Sequence, residues 1–199
     1  MICVDEKGPV AAKLYAPHGQ WAEATHRPHY QPDYGRRGAI WLFGALHPQT
    51  GQGLLHWGER RDSATFIALM EKVHAWIPEG DVHVVIDNLS IHTSAQSLLW
   101  NFGHPRFYFH FLPTGAAWLN LIEGWWRILD RRTLEGRTFA NTAGLRHAYT
   151  TTLAGWNANP TPFRWDPTAP RSRRAKGCSK CRRLHRHHRA RKHLRRLMR

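Results

Sequence analysis

The chain has 199 residues, is 42% hydrophobic, contains 10 Trp and carries a formal net charge of +15. That is enough apolar material for one domain with a core, which excludes a disordered chain, and no apolar run nears the roughly 18–20 residues that span a bilayer. The N-terminal MICVDEKG lacks the basic flank and apolar stretch of a signal peptide, and three cysteines (Cys3, Cys178, Cys181) make no disulfide framework, so a reducing, intracellular setting is expected.

Taken in chain order, MICVDE reads as a short strand ending in acids. KLYAP and GAIWLFGALH have strand composition, with Pro and Gly punctuation between them. HPQTGQG looks like a hairpin turn into LLHWGER. In DSATFIALMEKVHAWIPEG, Phe66, Leu69, Met70, Val73 and Ile77 recur at helical spacing behind a cap at Asp62 or Ser63. DVHVVIDN is a Val/Ile strand buried on both faces and ending at Asp87-Asn88. TSAQSLLWNFG is a short helix, RFYFHFLP another strand, and a long helix is expected from Ala116 to Leu134. NTAGLRHAYTTTLAGWNAN is a last helix capped by Asn141 or Thr142. A meander followed by strand–helix alternation predicts an α/β fold: a mixed sheet of about five strands with helices on both faces.

On the 116–134 helix, Trp118, Ile122, Trp125 and Leu129 form one apolar stripe, while Asn120, Glu123, Arg127 and Asp130 fall on another face. Glu123 therefore projects from a packed helix toward the sheet edge, where the strands carrying Asp5 and Asp87 stop. Strand-end carboxylates often serve only as caps. Three of them on three anchored elements, however, are hard oxygen ligands suited to Mg²⁺. Two such ions about 3.5–4 Å apart stabilise the attacking and leaving oxygens of an in-line phosphoryl displacement.

VVIDNLSIHTSAQ and FYFHFLPTGAAWLNLIEGWWRILDRRTL sharpen this reading. They resemble the catalytic core of mariner-superfamily DDE transposases, and more narrowly the bacterial insertion-sequence group often called the six-thirty family. Its pattern is matched by Asp5-Glu6, by Asp87-Asn88 with His92, and by Leu112-Pro113 with Leu119-Asn120-Leu121-Ile122-Glu123. The 35 residues between Asp87 and Glu123 are close to the spacing of the group, and the likeness covers roughly residues 1–165.

The resemblance implies an RNase H-like fold, a homodimer on DNA, and two Mg²⁺ ions, with Mn²⁺ able to substitute. Asp5, Asp87 and Glu123 would hold the metals. Water would cut a phosphodiester at the transposon end, and the freed 3′-hydroxyl would attack target DNA. Asn88 and Asn120, beside the acids, either orient them or are plain turn and helix-surface residues, and His92 either contacts a phosphate or metal-bound water or is a cap or solvated residue. Glu6 would substitute for Asp5 only by turning to the face that strand alternation denies it. Arg127, Arg131 and Arg132 form a helical basic patch that either meets DNA phosphates or is a solvated face. The implied setting is a bacterial cytoplasm, at the nucleoid, with no membrane.

Two departures stand out. Members of that group usually begin with helix-turn-helix modules; here the first strand starts almost at Met1, so a catalytic domain without its targeting half is expected, over residues 1–166. Residues 167–199 change composition abruptly. From Arg171 onward there are 14 Lys+Arg and no acid, which leaves 15 basic residues against 14 acids in the rest of the chain. This reads as a frameshifted or spliced end: a disordered tail whose Arg173, Arg174 and Lys176 meet DNA backbone non-specifically. Cys178-x-x-Cys181 with His185, His187 and His188 invites zinc, but the spacing fits no common finger. Two other functions remain open: an inactive relic that only binds nucleic acid, and an RNase H-like nuclease with another substrate.

Overall fold

Alternating apolar residues commit β1 (Ile2–Ala11) to two faces at once. Ile2 and Val4 point to one side, Cys3 to the other, and all three are buried. A residue pattern of this kind needs cover on both sides of the sheet, and the chain supplies it. The computed structural model describes residues 1–13 and 37–163, and the backbone alone of 20–22 and 27–29.

Five strands form one sheet in the order β5-β4-β1-β6-β7, with β4 at Ala39–Leu46, β5 at Gly53–Gly58, β6 at Val82–Ile86 and β7 at Phe107–Phe111. β1 runs antiparallel to β4 and parallel to β6, and β6 runs parallel to β7. The sheet is mixed, as expected. The HPQTGQG turn joins β4 to β5, closed by the Gln52 carbonyl accepting from the His47 N–H at 2.8 Å. Two short strands, β2 (Gln20–Ala22) and β3 (Arg27–His29), pair antiparallel with each other. The strand expected at KLYAP lies, past Lys13, outside the described residues.

One face of the sheet carries α1 (Ser63–Trp76) and α2 (Ala95–Gly103). Their Phe66, Leu69, Met70, Val73 and Trp100 pack with Ile2, Val4, Val84 and Ile86. Asp62 caps α1 by accepting from the Thr65 N–H at 2.9 Å, and Ser94 caps α2. The other face carries α3 (Ile122–Leu134) and α4 (Thr142–Ala158). There Trp125, Trp126, Leu129, Tyr149 and Trp156 pack with Cys3, Leu42 and Leu46. Burial pushes the Cys3 thiol up to about 11, which makes it an inert core residue.

Two sequence expectations are corrected. β1 does not stop at its acids. It continues to Ala11 because β4 pairs its backbone along that length, while β6 ends at Ile86. The helix expected from Ala116 to Leu134 is broken into a 3₁₀ turn at Ala117–Leu119 and α3, with Asn120 extended between them. Trp118 is 66% exposed and leaves the apolar stripe, and Trp126 takes a place in it.

The indoles of α3 reach the sheet because glycine lies beneath them. A Cβ on Gly53 would stand 2.3 Å from the Trp125 ring, and one on Gly44 would stand 2.6 Å from the Trp126 ring. Gly44 is also the cross-strand partner of Asp5. The same missing side chain thus admits an indole directly beside that acid.

Candidate active site

Asp5 sits where β1 outruns β6. Cys3 pairs with Val85, so two residues further along each strand come Asp5 and Asp87, just past the end of β6 at Ile86. Strand parity sends Asp5 to the side of Cys3, toward α3. Its Oδ2 accepts from the Trp126 indole N–H at 3.1 Å. Among the described residues Oδ1 accepts no side-chain hydrogen bond. Burial, then the charges of Glu6, Glu123 and Asp87, push the Asp5 carboxyl up to about 7.

Asp87 begins a tight turn. Its Oδ1 accepts from the Leu89 N–H at 3.1 Å and faces His92 Nδ1 at 3.0 Å. Asp87 thus also has one oxygen, Oδ1, tied to the protein. Among the described residues its Oδ2 has no hydrogen-bond partner.

Glu123 lies in the first turn of α3, half-buried, and no side chain caps that helix. The helix front is fixed instead by Asn120, whose Nδ2 donates to the Val4 carbonyl at 2.9 Å. Asn120 was expected on the same helix face as Glu123; it is buried, because its amide reaches down to β1. Asn88 is exposed and donates to the Leu112 carbonyl, joining the ends of β6 and β7.

His92 departs furthest from expectation. It is 0% exposed and so touches neither phosphate nor solvent. The Phe66 ring of α1 lies against it, centroids 4.6 Å apart. Its Nε2 meets Glu6 Oε1 at 2.7 Å, and its Nδ1 meets the Asp87 carbonyl at 3.1 Å. Burial lowers the affinity of His92 for a proton. The Glu6 hydrogen bond and charge, with Asp87 behind them, outweigh that and raise it. Glu6 does face away from Asp5, as alternation requires; the partner waiting there was not foreseen. Trp126 was also missed, although its position three residues after Glu123 put it on a neighbouring turn of the same helix.

The structure therefore brings Asp87 and Glu123 close enough to Asp5 for their charges to act on it. It does not close them into a cage: among the described residues no three His, Cys, Asp or Glu side chains stand in metal-holding geometry. A family model described as DDE superfamily endonuclease matches residues 1–146.

The chain belongs to that family. This DDE endonuclease domain is 30% identical over 96 residues to the Shigella sonnei insertion element IS630 uncharacterized 39 kDa protein; the match takes in 48% of the chain and 28% of that protein. The chain thus spans under a third of that relative. Among solved structures it is similar to the simian T-cell lymphotropic virus intasome in complex with the PP2A regulatory subunit B56 gamma. That match has a TM-score of 0.54 at 13% identity, covering 89% of this chain and 58% of that one. It is also similar to the catalytic core domain of BIV integrase, with a TM-score of 0.50 at 11% identity, covering 81% and 86%. The fold is RNase H-like.

Enzymes of this superfamily generally use divalent metal ions. The donor set of the DDE domain fits such ions chemically. Hard carboxylate oxygens cluster here, and among the described residues neither Lys nor Arg pairs with Asp5, Asp87 or Glu123. Burial raises Asp5 most, repulsion from Glu6, Glu123 and Asp87 adds to it, and that repulsion is what a cation relieves.

Arg127, Arg131 and Arg132 lie on the exposed side of α3 and line a groove of about 440 Å³ with Trp156 and Phe163. Arg132 stacks over the Trp156 ring at 5.1 Å, and Arg131 lies 4.0 Å from Glu135. Arg173, Arg174, Lys176, Cys178 and Cys181 lie outside the described residues. Among the described residues no helix is long and apolar enough to cross a membrane.

Proposed function

We propose that this domain cleaves DNA phosphodiesters at the ends of a mobile element and transfers the freed strand into target DNA. Asp5, Asp87 and Glu123 would hold two Mg²⁺ ions, or Mn²⁺ in their place. When bound, these supply Lewis acidity to the attacking and leaving oxygens of an in-line displacement. The chain's own part is to hold the acids still. Trp126 fixes one oxygen of Asp5, and His92 with the Leu89 N–H fixes one oxygen of Asp87. In each case the other oxygen is left for a ligand. Packing of Trp125 and Trp126 on Gly53 and Gly44 fixes the helix that carries Glu123.

Arg127, Arg131 and Arg132 extend from Glu123 along α3 and would receive the phosphates of the bound strand, with Arg173, Arg174 and Lys176 adding sequence-independent contacts. Two copies on paired DNA ends, acting at the bacterial nucleoid, complete the reading. The single observation that carries it is a half-buried Asp5 among three other carboxylates beside the end of a parallel strand. The test is nicking of supercoiled plasmid in Mg²⁺ or Mn²⁺. Asp87→Ala should lower the rate by at least about 100-fold, the scale on which loss of one charge-stabilising group acts. Equal nicking by variant and wild type would remove the assignment.

A further inference from the structure

Glu6 has no place in the chemistry just described and His92 enters it only through its contact with Asp87, yet they are the most completely enclosed ionisable pair of the described residues, at 1% and 0% side-chain exposure. Stability alone explains them poorly. Enclosing a carboxylate and an imidazole is costly, and apolar replacement of such pairs is often neutral or favourable. The cost is higher here because Glu6 Oε2 is buried with no hydrogen-bond partner.

The geometry points to a different role: we propose that Glu6 and His92 are positioning residues that set the orientation of the Asp87 carboxylate from beneath the sheet edge. The connectivity is continuous. Glu6 Oε1 lies 2.7 Å from His92 Nε2, and His92 Nδ1 lies 3.0 Å from Asp87 Oδ1 and 3.1 Å from the Asp87 carbonyl oxygen. A carbonyl oxygen can only accept, so Nδ1 carries a proton and donates. That donation does not depend on which member of the Glu6–His92 pair holds the other proton. The Asp87 side chain is therefore held at Oδ1, with the Leu89 N–H as a second donor, and among the described residues Oδ2 has no hydrogen-bond partner. Phe66 closes the outer side of the imidazole and removes its freedom to swing away. Glu6 reaches Asp87 across the β1–β6 step only through the ring. Adjacent acids of one strand thus serve one site from opposite faces: Asp5 directly, Glu6 by way of His92.

This inference rests on the reading of Asp87 as a metal ligand, and the experiment separates the two. Mn²⁺ affinity is measured by calorimetry on the full chain, and melting temperature by circular dichroism without metal. Asn places its amide near the Nδ1 position of a His, and Gln near Nε2. His92→Asn thus keeps the donor to Asp87, and His92→Gln keeps only the link to Glu6. We expect His92→Gln to weaken Mn²⁺ binding about 10-fold or more, as loss of a ligand's supporting hydrogen bond does, and His92→Asn to retain most of it. Glu6→Leu should weaken binding similarly, with Glu6→Gln rescuing it. Equal losses in the two His92 variants, or wild-type affinity in a folded Glu6→Leu protein, would overturn the positioning role. Wild-type Mn²⁺ affinity in Asp87→Ala would overturn the metal-ligand reading beneath it.

Discussion

Asp5 and Glu6 are neighbours of the same chemistry on one strand, and the two faces of the sheet treat them oppositely. On the α1/α2 face Glu6 is sealed and its charge is met by an imidazole at 2.7 Å. On the α3/α4 face Asp5 has one indole N–H at 3.1 Å, and its nearest charges are other carboxylates. One face completes its electrostatics from within the chain. The other leaves negative charge unmatched, and unmatched charge held rigidly is how a fold reserves room for a cation.

The largest effect should come from emptying the open face. Glu123→Ala should abolish metal-dependent nicking and weaken Mn²⁺ binding, while the melting temperature of the metal-free protein holds or rises. A fall in stability without loss of Mn²⁺ affinity would make Glu123 a structural acid instead of a metal ligand.

Next is the pH dependence of metal-free protein in EDTA. Asp5 has a pKa of about 7 in the fold and an ordinary 3.8 when unfolded. Between those values the native state binds more protons than the unfolded one, so stability is highest at the acid end and falls as pH rises toward 7. The full loss is at most about 4 kcal/mol, at about 1.4 kcal/mol per unit, and water reaching the half-buried group reduces it. Asp5→Asn should flatten this limb in urea titrations across pH 4–8, and a limb unchanged by that substitution would show that another group causes it.

Smaller again, Gly53→Ala forces a methyl into the Trp125 ring and should cost roughly 1–3 kcal/mol, read as a lower melting temperature. Trp126→Phe removes the indole donor to Asp5 together with part of the ring packed on Gly44. It should lower the melting temperature and raise the Asp5 pKa further, visible by carboxyl NMR titration.

The same contrast governs what could be read from the chain alone. β6 was legible because VHVVI is apolar on both sides, as a central parallel strand must be. The second half of β1 was not, since Asp5-Glu6-Lys7 looks like the end of a strand. Its polar side chains are accommodated only by partners far away in sequence: His92 for Glu6, and Asp130 for Lys7 at 2.5 Å. Asp130 in turn accepts from the buried Tyr149 hydroxyl at 2.8 Å, so this ion pair is built into the α3–α4 packing. Periodicity likewise ran Trp118 into the α3 stripe, because nothing in the local pattern shows that Asn120 spends its amide on Val4 rather than on the helix. The three acids were read from strand ends and a helix face and then from motif likeness; parallel pairing of β1 with β6 sets the two aspartates at one edge, and the Asn120 bond to Val4 brings the front of α3 there. The burial of His92 is a tertiary fact that no spacing carries.

The Asn120 amide has one more consequence. It suspends the front of α3 from the Val4 carbonyl, one residue before Asp5. The height of Glu123 above the sheet is thus gauged by the length of a single side chain. Gln at 120, one methylene longer, would act as a shim, lifting one jaw of the acidic clamp without removing any of its carboxylates.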